Sequence, residues 1–441
     1  MKRRTAIWIG IIAALVLLGA LAQICRICRA ELHRRQAEAL VEAGAYAHAR
    51  KLYDEIGDAE GVAHCNAMQA EEVYQEGKQF LMAGDCEGAR QLLASLGNYK
   101  DSAALLAACG WQEALAHEDT EALIEAHRGF QSLGQNSACQ DIIKQIIKQI
   151  SERLFTQAEE LATAFKLEEA CTIWEELGSY EGSVLLLQRG QRALDWASAP
   201  EEQRLLKSAN RYLSKSLENV YVCEEAYFVI PEECGSETRF FIYYPGGRDE
   251  EMSVDYLLYY MMNPSPNTLA VFMRKNGLDH MRDKSCQAID LLDQAAAECG
   301  VFAREIVVAG SSLGAYPAMH SVVYAYEAYG IRTDCVLSLD AGSDWLEAEL
   351  LLDESECWKA EKIGTEFYLF ESPWVGMNRE GIRLMVNTGN KVTMVGCTFD
   401  DHVRISLDAM GMGVVDWAVG DRAQPCNPEI YSFTRLKPDV G

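Results

Sequence analysis

Glu305-Ile-Val-Val-Ala-Gly310-Ser-Ser312-Leu-Gly314-Ala315 is the stretch on which the reading turns. Glu305–Ala309 is β-branched and small, as a buried strand is. Ala315–Tyr329 spaces Tyr316, Met319, Val322 and Val323 along one face of a helix. Between them lies Gly310-x-Ser312-x-Gly314. A turn from strand to helix this sharp needs small residues on both sides of its apex. It lifts the Ser312 hydroxyl above the sheet and aims the free N–H groups of the helix N-terminus at whatever reacts there.

Working outward, the region from Tyr221 on alternates short apolar strands with amphipathic runs. The expected strands are 226–230, 239–244, 268–273, 305–309, 335–339, 366–370 and 391–396. The clearest helices are 283–299 and 315–329. Such alternation implies an α/β domain with a mostly parallel sheet covered on both faces. A serine needs a base to take its proton. After Ser312 only His320 and His402 remain. His320 sits two turns down the helix and is carried away from the serine, so it reads as a packed or surface residue. His402 follows the last strand and returns to the same sheet edge, so it is the candidate base. The orienting carboxylate is Glu371 or Asp340, each at the C-terminal end of a strand, with Glu371 the first choice. Asp401 reads as a loop-fixing residue, because adjacent side chains diverge. An oxyanion hole needs two N–H donors. Leu313 supplies one, and Pro245-Gly246-Gly247 lets Gly246 or Gly247 bring the other close. The basic cluster Arg274, Lys275, His280 and Arg282 reads as a solvated loop and helix start, with a substrate-carboxylate site as its alternative.

These residues resemble the α/β-hydrolase fold in its serine-esterase form, over 221–441. The elbow Gly310–Gly314 and the order Ser312, Glu371, His402 carry the resemblance. It implies a serine hydrolase, most often of carboxylic esters, acting through an acyl-enzyme without metal or cofactor. Compact secreted esterases of the feruloyl and acetyl kind are the nearest comparison. The loop Tyr244–Gly247 lacks the histidine of the HGGG lipase form, and no long lid insertion is evident.

Residues 30–195 carry a repeat. Ala49, Leu52, Tyr53 and Ile56 precede Gly57. The same offsets recur before Gly97, Gly134 and Gly178, at intervals of 40, 37 and 44 residues. Each set places an apolar stripe on one helix that ends at a glycine cap. Tyr99-Lys-Asp-Ser102 and Tyr180-Glu-Gly-Ser183 repeat as the turns. Stacked helix pairs are expected. They resemble tetratricopeptide-like repeats, though with a longer, uneven period and without the usual proline. The resemblance implies a surface for a protein or peptide partner; a spacer is the alternative. Residues 196–220, with a helix over 201–219, are expected to link this all-α domain to the α/β domain.

Met1-Lys-Arg-Arg4 precedes an apolar run, 5–24, long enough for a transmembrane helix. Residues 1–29 therefore read as a tail and single-pass cell-membrane anchor with the bulk of the chain extracytoplasmic. A cleaved signal peptide ending near Ala20-Leu21-Ala22 is the rival. The chain carries 40 basic and 66 acidic residues, and from Tyr221 on 17 basic and 35 acidic. That balance argues against nucleic acid as a partner and favours a neutral, small-molecule or glycan-borne ester. Fifteen cysteines leave at least one unpaired within the chain. Cys25 and Cys28 lack two further zinc ligands and read as small residues at a membrane boundary. From a different class, the rival function is a membrane-tethered interaction protein with an inactive hydrolase-like domain. Acyl transfer to an alcohol or amine is a third reading.

Overall fold

A computed structural model describes residues 2–97, 99–102, 105–106, 109, 120–134, 140–211, 217, 219–246, 250–275, 281–340, 352–371, 379–397 and 402–438. Of these, side chains are described except at 2–14, 132–134, 140–142, 210–211, 250–253, 379 and 402–403. The chain divides into two compact units, Met1–Glu152 and Arg153–Gly441.

The first unit is helical. It contains α1 Lys2–Glu42, α2 Tyr46–Glu55, α3 Ala59–Met82, α4 Cys86–Ala94, α5 Thr120–Gly134 and the first half of α6 Gln140–Thr163. The repeated stripe is the packing face: Ala49, Ala89, Ala126, Tyr53, Leu93 and Phe130 are all buried. Gly57 and Gly97 have φ of +69° and +56°, the left-handed conformation in which a helix stops. Two N-caps belong to the same pattern. The Asp58 and Asp85 side chains accept from the N–H of Gly61 and Gly88, three residues on. The turn Tyr99–Ser102 is a fastener. The Tyr99 hydroxyl and Lys100 ammonium donate to Glu71 at 2.8 and 2.5 Å, and Lys100 lies over the Tyr74 ring. These helices pack as neighbours, but they do not by themselves establish tetratricopeptide repeats.

Among the described residues, no helix is long and apolar enough to cross a membrane. The anchor expected at 5–24 is therefore not supported, although side chains up to residue 14 lie outside the description. Residues 2–42 form one helix of 41 residues.

The second unit begins with the rest of α6, then α7 Leu167–Leu177 and α8 Ser183–Ser198. So the last helix pair of the repeat region belongs to the compact unit that contains the sheet. Arg189 on α8 explains why. Its Nε and Nη2 donate to both oxygens of Asp293 at 2.8 and 2.9 Å, with side chains 1% and 4% exposed. Nη2 also donates to the Ala303 carbonyl, and the guanidinium lies 4.3 Å from the Phe302 ring centroid. The helix expected over 201–219 is corrected. A short turn and α9 Leu205–Ser208 give way to extended chain at Ala209 and strand β1 Asn210–Arg211. Glu298 caps the start of this short helix, its carboxylate accepting from the N–H of Leu205 and Leu206.

The remaining strands are β2 Val220–Val222, β3 Ala226–Val229, β4 Arg239–Tyr244, β5 Thr268–Met273, β6 Glu305–Ser311, β7 Arg332–Leu339, β8 Glu366–Glu371, β9 Lys391–Cys397 and β10 Tyr431–Arg435. They form one sheet in the order β1-β2-β3-β5-β4-β6-β7-β8-β9-β10. From β5 through β9 every pair is parallel; the outer pairs are antiparallel. Alternate residues of each strand enter two apolar cores. Phe240, Ile242 and Tyr244 face one, packed by α11 Met281–Glu298, α12 Ala315–Tyr329, α13 Glu354–Ile363 and α14 Arg379–Asn387. Phe241 and Tyr243 face the other, packed by α10 Glu250–Met262, α15 His402–Gly411 and α16 Val414–Val419. This is an α/β domain with a mostly parallel sheet covered by helices on both faces.

Two outcomes follow from these contacts. Asp293→Ala strands a buried cation and lowers unfolding free energy by about 3–5 kcal/mol in urea titration. Asp290→Ala, which breaks the half-exposed Arg192 pair, costs under about 1 kcal/mol. In the first unit, hydrogen bonds from Lys100, Gln75 and Tyr99 hold the Glu71 carboxyl at about 2, below its ordinary 4.5. A depressed pKa stabilises above pH 4.5, and that stability is lost as pH falls towards about 2. Glu71→Gln therefore lowers the thermal midpoint at pH 7, and its gap to wild type closes on acidification.

Candidate active site

Because β4 to β9 run parallel, the candidate residues collect at one edge, where the strands end. Ser312 follows β6, Asp340 follows β7, Glu371 closes β8, and His402 opens the helix after β9. Gly246 follows β4. The side chain of His402, and all of Gly247, His280 and Asp401, lie outside the described residues.

The turn at Ser312 is as sharp as its sequence requires. Ser312 has φ +51°, a conformation that costs a non-glycine residue about 1–3 kcal/mol. Residues Ser312–Gly314 make one tight turn before α12 starts at Ala315. A side chain at Gly310 would overlap the backbone of Gly314, and one at Gly314 would overlap the Tyr244 carbonyl. Both glycines are therefore required by close backbone approach. At Gly246 a Cβ would lie 2.9 Å from the Ser311 carbonyl oxygen and 3.0 Å from Ser312 Cβ. The loop after β4 thus reaches the serine because it has no side chain there. Leu313 lies in the first turn of a helix, where N–H groups have no preceding acceptor in the helix.

Ser312 and Leu313 are half-buried, so a small molecule can reach them. The two carboxylates differ. Asp340 is 1% exposed, has φ +51° and donates its backbone N–H to the Phe370 carbonyl at 2.9 Å. Its strand is the direct neighbour of β6, with Ser311 opposite Leu339. Glu371 lies one strand further out, half-buried, and its side chain has no hydrogen-bond or ion-pair partner among the described residues. Burial, then the charge of Asp340, pushes the Cys397 thiol up to about 12, so it stays protonated. His320 is buried, as expected of a packed residue. Its Nδ1 lies 3.0 Å from Glu356, and its ring stacks on Tyr324.

Sequence reasoning missed the polar layer beneath the elbow. Tyr243 donates to Ser311 Oγ at 2.7 Å, and both residues are fully buried. Burial drives the Tyr243 phenol well above its ordinary value, so it is a neutral donor. The alternation of β4, which turns Tyr243 to the helix-α10 face, was the available signal. Among the described residues no cluster of His, Cys, Asp and Glu could hold a metal ion. A cavity of about 420 Å³ opens at the opposite edge, where the strands begin, beside Arg239, Arg304, Glu305 and Arg332. None of the candidate residues lines it, and Arg304 and Arg332 are paired with Glu159 and Glu305.

No protein-family model matches the chain, and no curated protein matches it. Several solved structures are similar over about half of it. A hyperthermophilic esterase from the archaeon Pyrobaculum calidifontis is 13% identical with a TM-score of 0.31, covering 57% of this chain and 98% of its own. The naproxen esterase (carboxylesterase NP) of Bacillus subtilis is 10% identical at 0.29, covering 54% and 96%. The protein DphMB1 is 14% identical at 0.32, covering 52% and 90%. Likenesses this distant establish neither family nor activity.

If Ser312 is strained, glycine relieves it and alanine does not. Ser312→Gly should unfold in urea with about 1 kcal/mol more stability than Ser312→Ala. Equal stability of the two would mean the left-handed turn is not strained.

Proposed function

We propose that the second unit is a serine hydrolase acting on carboxylic esters. The observation that carries this reading is Ser312 itself: a half-buried hydroxyl on a left-handed turn, at a helix N-terminus, with glycine backbone against it. Ser312 Oγ attacks the acyl carbonyl carbon while His402 takes its proton. The oxyanion is held by the N–H of Leu313 and that of Gly246 or Gly247. The intermediate collapses, His402 returns the proton to the leaving alcohol, and the acyl group stays on Ser312. Water, activated by His402, then releases the acid.

For the carboxylate that orients His402, burial and position favour Asp340 over Glu371. A buried carboxylate beside the nucleophile's strand holds an imidazole in a low-dielectric setting, where that interaction is strong. The excess of acidic residues in this domain opposes anionic substrates, which leaves neutral or glycan-borne esters.

Hydrolysis of a short-chain nitrophenyl ester tests the reading. Ser312→Ala should lower kcat by about 10⁴-fold or more. Asp340→Asn should lower it by about 10³–10⁴-fold, and Glu371→Gln by less than about tenfold. Large loss at Glu371 with little at Asp340 would reverse the assignment. Full activity in Ser312→Ala would remove the mechanism.

A further inference from the structure

The Tyr243 hydroxyl donates to Ser311 Oγ at 2.7 Å, and both residues are fully buried. The phenol is held in place by its neighbours. Its ring centroid lies 4.9 Å from that of Tyr256 on α10 and 5.4 Å from that of Phe272 on β5. Its strand is paired with β6, Tyr243 standing opposite Ala309. Ser311 is the last extended residue, φ −99° and ψ 137°, before Ser312 turns to φ +51°. One segment therefore grips the peptide between these two serines at two points. Tyr243 holds the Ser311 side chain, and three residues later Gly246 brings its main chain against the Ser311 carbonyl and Ser312 Cβ. The core around the pair is otherwise mostly apolar. A Phe and Ala pair would fill the space without burying two hydroxyls, so stability gives little reason for the bond. What the bond adds is direction, since it favours one Ser311 rotamer beside a strained turn.

We infer that Tyr243 is a positioning residue for the nucleophile: its hydroxyl, donated to Ser311 Oγ, fixes the residue before Ser312 and so sets the direction from which the Ser312 oxygen meets a substrate carbonyl. This rests on the reading of Ser312 as nucleophile proposed above, and on no particular base. Tyr243 touches neither substrate nor reacting atoms. It acts through Ser311.

The test is steady-state hydrolysis of a short-chain nitrophenyl ester by the full chain carrying Tyr243→Phe, Ser311→Ala or both, with Ser321→Ala beside them. Ser321 is a fully buried hydroxyl on α12, nine residues beyond Ser312, bonded to the Tyr244 hydroxyl and the Pro317 carbonyl. It reports what a lost buried hydrogen bond does away from the elbow. Thermal unfolding and circular dichroism identify folded variants, and each is assayed below its transition. Tyr243→Phe and Ser311→Ala should each lose about 5–50-fold in kcat with KM within about threefold, because a small misplacement of the nucleophile slows chemistry without weakening binding. The double variant leaves neither partner unpaired, so its melting temperature should exceed that of the less stable single. Its kcat should nonetheless stay as low as that of the singles, since all three cut the same bond. Ser321→Ala should keep kcat within about threefold. Ser311→Ala removes only one oxygen and carries the test if Tyr243→Phe does not fold. A purely structural role leaves kcat of the folded singles unchanged, or lets kcat recover with the melting temperature in the double variant. Either result, or an equal kcat loss in Ser321→Ala, overturns the inference while Ser312-dependent hydrolysis by the wild type stands. A wild type without that hydrolysis overturns both.

Discussion

Ser312 holds a left-handed backbone, φ +51°, at the point where β6 must become α12. That conformation is costly, and the neighbourhood is built to impose it. Gly310 lies against the Gly314 backbone, Gly314 against the Tyr244 carbonyl, and Gly246 against Ser311 and Ser312. Three separate approaches of main chain to main chain converge on one residue. A looser turn would not need glycine at all three places. Local strain at a half-buried, reachable hydroxyl is the kind of arrangement that function preserves and stability alone does not.

The sheet makes the turn useful. Five consecutive parallel pairings bring the ends of β4, β6, β7, β8 and β9 to one edge. Residues separated by up to 156 positions in sequence, from Gly246 to His402, thereby reach the same rim. Below the rim, the Tyr243 hydroxyl joins β4 to β6 at Ser311, at the level of the elbow. On the far side of the sheet, Arg189 and Asp293 tie the last repeat helix to α11 through a buried bidentate pair. A pair so placed costs desolvation on both partners, and it is tolerated because carbonyls and the Phe302 ring complete the guanidinium's surroundings.

Much of this was legible in the residues. The elbow, the seven strands from 226 to 396 and the helix 315–329 follow from alternation and from Gly-x-Ser-x-Gly. The helical stripes follow from offsets of three and four and a terminal glycine. What escaped had nonlocal causes. β1, β2 and β10 are short edge strands whose pairing depends on what lies beside them. The helix expected at 201–219 is only Leu205–Ser208, its start capped by Glu298 about 90 residues away in sequence, before the chain turns to pair as β1 with β2. Glu371 and Asp340 look alike in sequence, since both end strands. Burial separates them, and burial depends on strand order. The apolar run at 5–24 falls half on residues whose side chains lie outside the description, and among the described residues no helix is long and apolar enough to cross a membrane.

The central claim is that the Ser312 oxygen is a nucleophile. Incubation of the full chain with a fluorophosphonate, followed by intact-mass and peptide mapping, addresses it directly. The account predicts one phosphonyl adduct per chain, on the peptide that contains Ser312, and none on folded Ser312→Ala. Folded wild-type protein that takes up no adduct, or takes it up elsewhere, would contradict it.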